Sequence, residues 1–60
     1  MSGKNLVKKA VKGGWEIDRI HGSHYIMEKD GYKPVSIPVH GNKDLKPGTL
    51  NSLLKELGLK

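Results

Sequence analysis

Four leucines near the C-terminus, spaced at i, i+3, i+4 and i+7, constrain the fold more than any other feature of the chain. They are Leu50, Leu53, Leu54 and Leu57. On a helix of 3.6 residues per turn these side chains form one apolar stripe, which must be buried against another element. Pro47 suits the first helical turn, and Gly58 suits a left-handed cap with Leu59 folding back. The pattern predicts an amphipathic helix covering one side of a small core.

A second amphipathic helix is indicated between Gly3 and Lys12. Its apolar side chains fall on one arc and its lysines on the opposite arc. The apolar set is Leu6, Val7, Ala10 and Val11, and the basic set is Lys4, Lys8, Lys9 and Lys12. Ser2 can cap the start, and Gly13 with Gly14 can end the helix.

Three short segments between the helices have the composition of strands: residues 15–20, 23–29 and 34–40. They are rich in β-branched or aromatic residues and are bounded by turn residues. The Asp30-Gly31 pair predicts a tight hairpin between the second and third strands. In the third strand Val35, Ile37 and Val39 share one face, while Pro38 indicates an edge strand.

The predicted fold class is α+β, in the order α-β-β-β-α. Two helices on one face of a three-stranded antiparallel sheet would bury both apolar stripes, a layout similar to the double-stranded RNA-binding fold. A chain of 60 residues has room for a single domain, residues 1–60. In the second strand, turning Tyr25 and Met27 inward places His24 and Glu28 on the solvent side at the lower cost, because the other register buries charge.

Composition limits the classes of function. The formal charge of +5 favours a polyanionic partner, and the absence of cysteine excludes disulfides and thiolate metal sites. No apolar stretch has the length of a signal peptide or a membrane span. We therefore expect a soluble cytoplasmic protein.

The histidines are the candidates for chemistry, because an unperturbed imidazole exchanges protons near neutral pH. Of His21, His24 and His40, His24 is the strongest candidate, since it begins a strand beside a glycine-containing turn that a backbone phosphate can approach. RNA cleavage needs a base for the 2′-hydroxyl and a cation for the phosphate, but no metal in principle. Arg19, Lys43 and Lys46 are candidates for that cation.

Each feature also has a simpler interpretation. A lone surface histidine is usually only solvated, and the lysines of the first helix (Lys4, Lys8 and Lys12) form either a phosphate-binding surface or an ordinary solvated face. The spacing His21-x-x-His24 could suggest a metal site, but the pair bridges a turn and no third ligand is evident. We expect no metal and no cofactor.

Two sequence motifs, taken together in this order, resemble the HicA family of toxins along essentially the whole chain. The first is Gly22-Ser23-His24-Tyr25, and the second runs from Pro38-Val39-His40-Gly41-Asn42 to Leu50. Gly14-Trp15 also matches a Gly-aromatic step after the lysine-rich first helix of that family. Met27 stands where family members often have Phe.

The resemblance implies a messenger-RNA interferase that is neutralised by a HicB-like antitoxin. It assigns the catalytic acid or base to His24 and the presentation of that imidazole to Gly22 and Ser23. His40, Gly41 and Asn42 match a family motif but are equally well explained as a structural loop. Two alternatives remain: a non-catalytic RNA-binding module, and a degenerate member whose main interaction is with a protein partner.

Overall fold

The structure, a computed structural model, describes residues 1–60. Helix α1 spans Gly3–Lys12 and has the bounds that its sequence predicts. The Ser2 hydroxyl accepts a hydrogen bond of 3.2 Å from the amide of Asn5, which satisfies one of the free donors of the first turn. At the other end Gly14 has a φ of +98°, and the amide of Trp15 donates to the carbonyl of Ala10 at 3.0 Å. Local signals at both ends therefore define this helix.

The three strands form one antiparallel sheet in the order β1-β2-β3, as expected. Strand β1 is Glu16–His21, β2 is His24–Glu28 and β3 is Val35–Pro38. The prediction placed β1 one residue too early and extended β2 and β3 beyond their ends. Strand β3 lies at an edge of the sheet and ends at Pro38. This position suits proline, because it has no amide hydrogen to donate to a neighbouring strand.

The link between β2 and β3 covers residues 29–34, which is longer than residues 30–33 that the predicted strand bounds leave, and it is not a tight turn on Asp30-Gly31. A tight turn centred on Asp30-Gly31 would place Met27 opposite Pro34, whereas Met27 in fact pairs with Val35. The observed register buries Val35 and keeps Pro34 out of the ladder. Gly31 still forms a turn, with a φ of +83°, and the amide of Tyr32 donates to Lys29 at 3.0 Å.

Both helices cover the same face of the sheet, as the sequence predicts. One cluster contains the buried side chains of α1, the sheet and α2. Its members are Leu6, Val7, Ala10, Trp15, Met27, Val35, Ile37, Leu53 and Leu57. We call the other side of the sheet the outer face; its residues are Glu16, Arg19, His21, His24, Ile26, Glu28, Ser36 and Pro38.

Helix α2 spans Pro47–Glu56 and follows the loop after β3. Gly58 has a φ of +69°, and the amide of Leu59 donates to Leu54 at 2.9 Å, so the expected Schellman ending is confirmed. Neither helix combines the length and the apolar character that crossing a membrane requires.

Candidate functional site

The turn between β1 and β2 consists of Gly22 and Ser23. Gly22 has a φ of +56°, while Ser23 has a negative φ, the pattern of a type II′ turn, which requires glycine at its first central position. The carbonyl of Ser23 accepts a hydrogen bond of 2.6 Å from the amide of Val39, just beyond β3. The turn is therefore held on one side by its own ladder and on the other by the third strand.

His24 begins β2 and lies on the outer face, where it is exposed. Its direct partners are His21 on β1 and Pro38 on β3. Neighbouring Tyr25 points the other way and is half-buried against the core. The structure thus places the imidazole on the solvent side of the sheet, in the register that the sequence favours.

A pocket of about 210 Å³ lies beside this end of the sheet. Pro38, the strand partner of His24, forms part of its wall, and the other lining residues are His40, Lys43, Asp44, Leu45, Lys46 and Thr49. Both lysines are exposed. Two of the predicted phosphate-binding cations therefore lie around a concave surface next to His24.

Arg19 also lies on the outer face, opposite Ile26 and two pairs along the ladder from His21 and His24. Its guanidinium is 3.7 Å from the carboxylate of Asp18, and most of the side chain is exposed. A surface ion pair of this kind is weak, so it leaves the guanidinium available to a phosphate.

The α1 lysines occupy a different part of the surface. Lys4, Lys8 and Lys12 are exposed on the helix side that faces away from the sheet. Because α1 covers the face opposite to His24, these lysines and His24 would contact different parts of a long polyanion. The structure does not bring them into one cluster.

The opposite end of the sheet is acidic, which sequence reasoning missed. Glu16 and Glu28 are cross-strand partners, and both line a pocket of about 410 Å³ with Asp30. Lys29 lines the same pocket and offsets one of these three negative charges; its Nζ donates to the carbonyl of Gly13 at 2.9 Å and lies 5.1 Å from the Tyr32 ring centroid. The carboxylates of Glu16 and Glu28 repel each other, because like charges directly opposite in a sheet are unfavourable. The same negative charge also repels a phosphate. The carboxylates of the outer face are thus concentrated at the end of the sheet away from His21 and His24.

The fold defines a small α+β protein whose outer face carries Arg19, His21 and His24 towards one end and Glu16 and Glu28 at the other. The family model described as HicA toxin of bacterial toxin-antitoxin matches residues 3–59. The chain therefore belongs to the HicA toxin family, which makes it the toxin of a toxin–antitoxin pair. A comparison with curated protein sequences gives no match.

Proposed function

We propose that this toxin is a cytoplasmic endoribonuclease that cleaves messenger RNA without a metal ion, with His24 as general acid or base. The observation that carries the proposal is the position of His24: exposed, at the start of β2, with a basic pocket on the far side of its strand partner Pro38. A strand residue next to a tight turn is held in place, while the solvent side stays open to a bulky polymer.

The chemistry follows from these groups. A base removes the proton of a 2′-hydroxyl, the 2′-oxygen attacks the adjacent phosphorus, and the 5′-oxygen leaves with a proton. A positioned imidazole contributes about 10²–10⁴-fold to such a step. Arg19, Lys43 or Lys46 would stabilise the additional charge on the phosphate oxygens. In this proposal Gly22 and Ser23 fix the turn that presents the imidazole.

The direct test is cleavage of a single-stranded RNA by the purified protein in the presence of a chelator. We expect cleavage by the parent, and a loss of about 10²-fold or more for His24→Gln. Lys33→Gln is the control, since Lys33 is equally exposed but lies in the link between β2 and β3, at the other end of the sheet from His24. Intact RNA after incubation with the parent, or equal cleavage by His24→Gln, would contradict the proposal.

A non-catalytic RNA-binding module is the second candidate. It is supported by the exposed lysines of α1 and by the α-β-β-β-α layout, which is compatible with the double-stranded RNA-binding fold. It predicts salt-sensitive RNA binding that does not change in His24→Gln. Binding without cleavage would favour this candidate over the endoribonuclease.

We propose a HicB-like protein as the antitoxin. The charge of +5 suits an acidic partner surface, which steers association and contributes to specificity. Co-purification of a tagged toxin with a co-expressed HicB-like protein tests this pairing. Loss of RNA cleavage in that complex is the expected result, and free toxin in the presence of excess antitoxin would contradict it.

A further inference from the structure

His21 and His24 are direct partners across the two-residue turn of the β1–β2 hairpin. Directly opposed residues of an antiparallel pair have Cβ atoms about 4.5–5.5 Å apart and point to the same side of the sheet. Both histidines are exposed, and no helix packs on the outer face that they share. Two imidazoles therefore stand side by side at the surface where the proposed function places the scissile phosphate.

We propose that His21 is a second catalytic residue, which forms an acid–base pair with His24; this inference rests on the proposed endoribonuclease activity. Cleavage by the 2′-hydroxyl moves two protons at two different oxygens. The neutral imidazole takes the 2′-proton as the bond from the 2′-oxygen to phosphorus forms. The imidazolium gives its proton to the 5′-oxygen as the bond from phosphorus to that oxygen breaks. The products are a 2′,3′-cyclic phosphate and a 5′-hydroxyl, and exchange with water resets both rings.

The separation of the two side chains fits this division of labour. The attacking and leaving oxygens lie on opposite sides of the phosphorus, so one imidazole cannot reach both at once. Two rings on adjacent positions of one face can contact the two oxygens of a phosphate lying over the turn. The fixed φ of Gly22 and the bond from Val39 to Ser23 keep the two Cβ atoms in this register.

The charged groups around the pair favour a phosphate there. On the outer face the next residue pair contains Arg19, which also contacts Asp18 at 3.7 Å. On the β3 side Pro38 leads to the pocket lined by His40, Lys43 and Lys46, with Asp44 also in its wall. The carboxylates of Glu16 and Glu28 lie at the far end of the β1–β2 ladder.

The experiment compares the parent, His21→Gln, His24→Gln and the control Lys33→Gln on one RNA oligonucleotide across a range of pH. For the parent we expect a bell-shaped dependence of kcat/KM on pH, since one imidazole must be neutral and the other protonated. His21→Gln should lose about 10²-fold and one limb of the bell, and His24→Gln should lose the other limb. A second substrate carries sulfur in place of the bridging 5′-oxygen, which leaves without a proton. That substrate should restore one of the two variants, and not the other, to near the parental rate.

Three results would overturn the pair. One is a parent that cleaves while His21→Gln retains both its rate and its bell-shaped profile. Another is rescue of both variants, or of neither, by the 5′-sulfur substrate. The third uses a non-cleavable 2′-O-methyl oligonucleotide, which we expect to shift the ring NMR signals of His21 and His24 with the same Kd. A titration that shifts the signals of His24 but not those of His21 would show that His21 is remote from the RNA. A parent that cleaves neither substrate refutes the endoribonuclease itself and the pair with it, which distinguishes the two failures.

Discussion

The indole Nε1 of Trp15 donates a buried hydrogen bond of 3.0 Å to the carbonyl oxygen of Leu57, 42 residues further along the chain. Trp15 comes after the Gly13-Gly14 pair that ends α1, and Leu57 follows α2 directly, so the bond joins the C-terminal ends of the two helices. Both residues are almost fully buried, with 1% of each exposed. The bond therefore links the ends of α1 and α2, which, unlike the strands, share no backbone hydrogen bonds with each other.

We expect Trp15→Phe to lower the free energy of unfolding by about 1–3 kcal/mol, because it leaves the Leu57 carbonyl buried without its donor. The Tyr32 ring, 5.3 Å from that of Trp15, offers a control. Tyr32→Phe keeps the aromatic contact and should change the free energy by no more than about 0.5 kcal/mol. Urea unfolding is followed by far-ultraviolet circular dichroism in both variants. Tryptophan fluorescence cannot be used, because Trp15 is the only tryptophan and one variant lacks it. Equal losses in the two variants would contradict the prediction.

Close contact between α1 and β3 requires Gly3 to have no side chain. A Cβ at that position would overlap the carbonyl oxygen of Pro38. We therefore expect Gly3→Ala to destabilise the fold by about 1–3 kcal/mol, as overpacking does. In α2, Gly48 has open space around its Cβ position, and Gly48→Ala should stabilise by about 0.5–1 kcal/mol. A stabilised Gly3→Ala variant in the same urea titration would disprove the close approach.

Strand burial depends on position across the sheet, and one row of partners shows this. Ile20, Tyr25 and Ile37 lie side by side on the helix-facing side, yet Ile20 is 53% exposed and Ile37 is 0% exposed. Ile37→Val should cost about 0.5–1.5 kcal/mol in the free energy of unfolding. Ile20→Val should stay within about 0.5 kcal/mol of the parent. Thermal or urea unfolding of the two variants side by side checks this, and a larger cost at Ile20 would show that β1 is covered in solution.

The sequence predicted the elements whose signals are local. The predicted helix ends are confirmed: the Ser2 side chain caps the start of α1, and Gly14 and Gly58 adopt the positive φ that ends each helix. The inward placement of Met27 follows from alternation within a single strand. These parts of the fold depend on residues within one turn or one strand of each other.

The register of β1 could not be predicted, because a bulge interrupts its alternation. Ile17 and Ile20 would face opposite sides of a regular strand, but the extra residue Asp18 places both on the helix-facing side. The predicted strands, 15–20 and 23–29, also left His21 in the turn between them, so the sequence did not predict a strand partner for it. The turn of Gly22 and Ser23 places it in β1 instead, and this shift of one residue creates the pairing with His24.

The geometry of the turn can be tested separately from its chemistry. Alanine at Gly22 must adopt a φ of +56°, which costs about 1–3 kcal/mol or distorts the turn. Gly31→Ala is a matched control, because Gly31 also has a positive φ and open space but lies at the other end of the sheet. We expect both variants to lose similar stability in urea. Only Gly22→Ala should also lose about tenfold or more in RNA cleavage at a temperature where both are folded.

The dependence of RNA binding on salt separates the two basic surfaces. Each lysine that neutralises a phosphate of single-stranded RNA contributes about −0.7 to the slope of log K against log salt concentration. With a short 2′-O-methyl oligonucleotide that spans only the His24 end, Lys43→Gln and Lys46→Gln should each reduce the slope by about that amount. Lys8→Gln removes the same charge from the opposite side of the molecule, where α1 faces away from the sheet, and should leave the slope unchanged. Equal reductions in all three variants would mean that the chain responds only to net charge, and the pocket beside Pro38 would then have no special part in holding the phosphate.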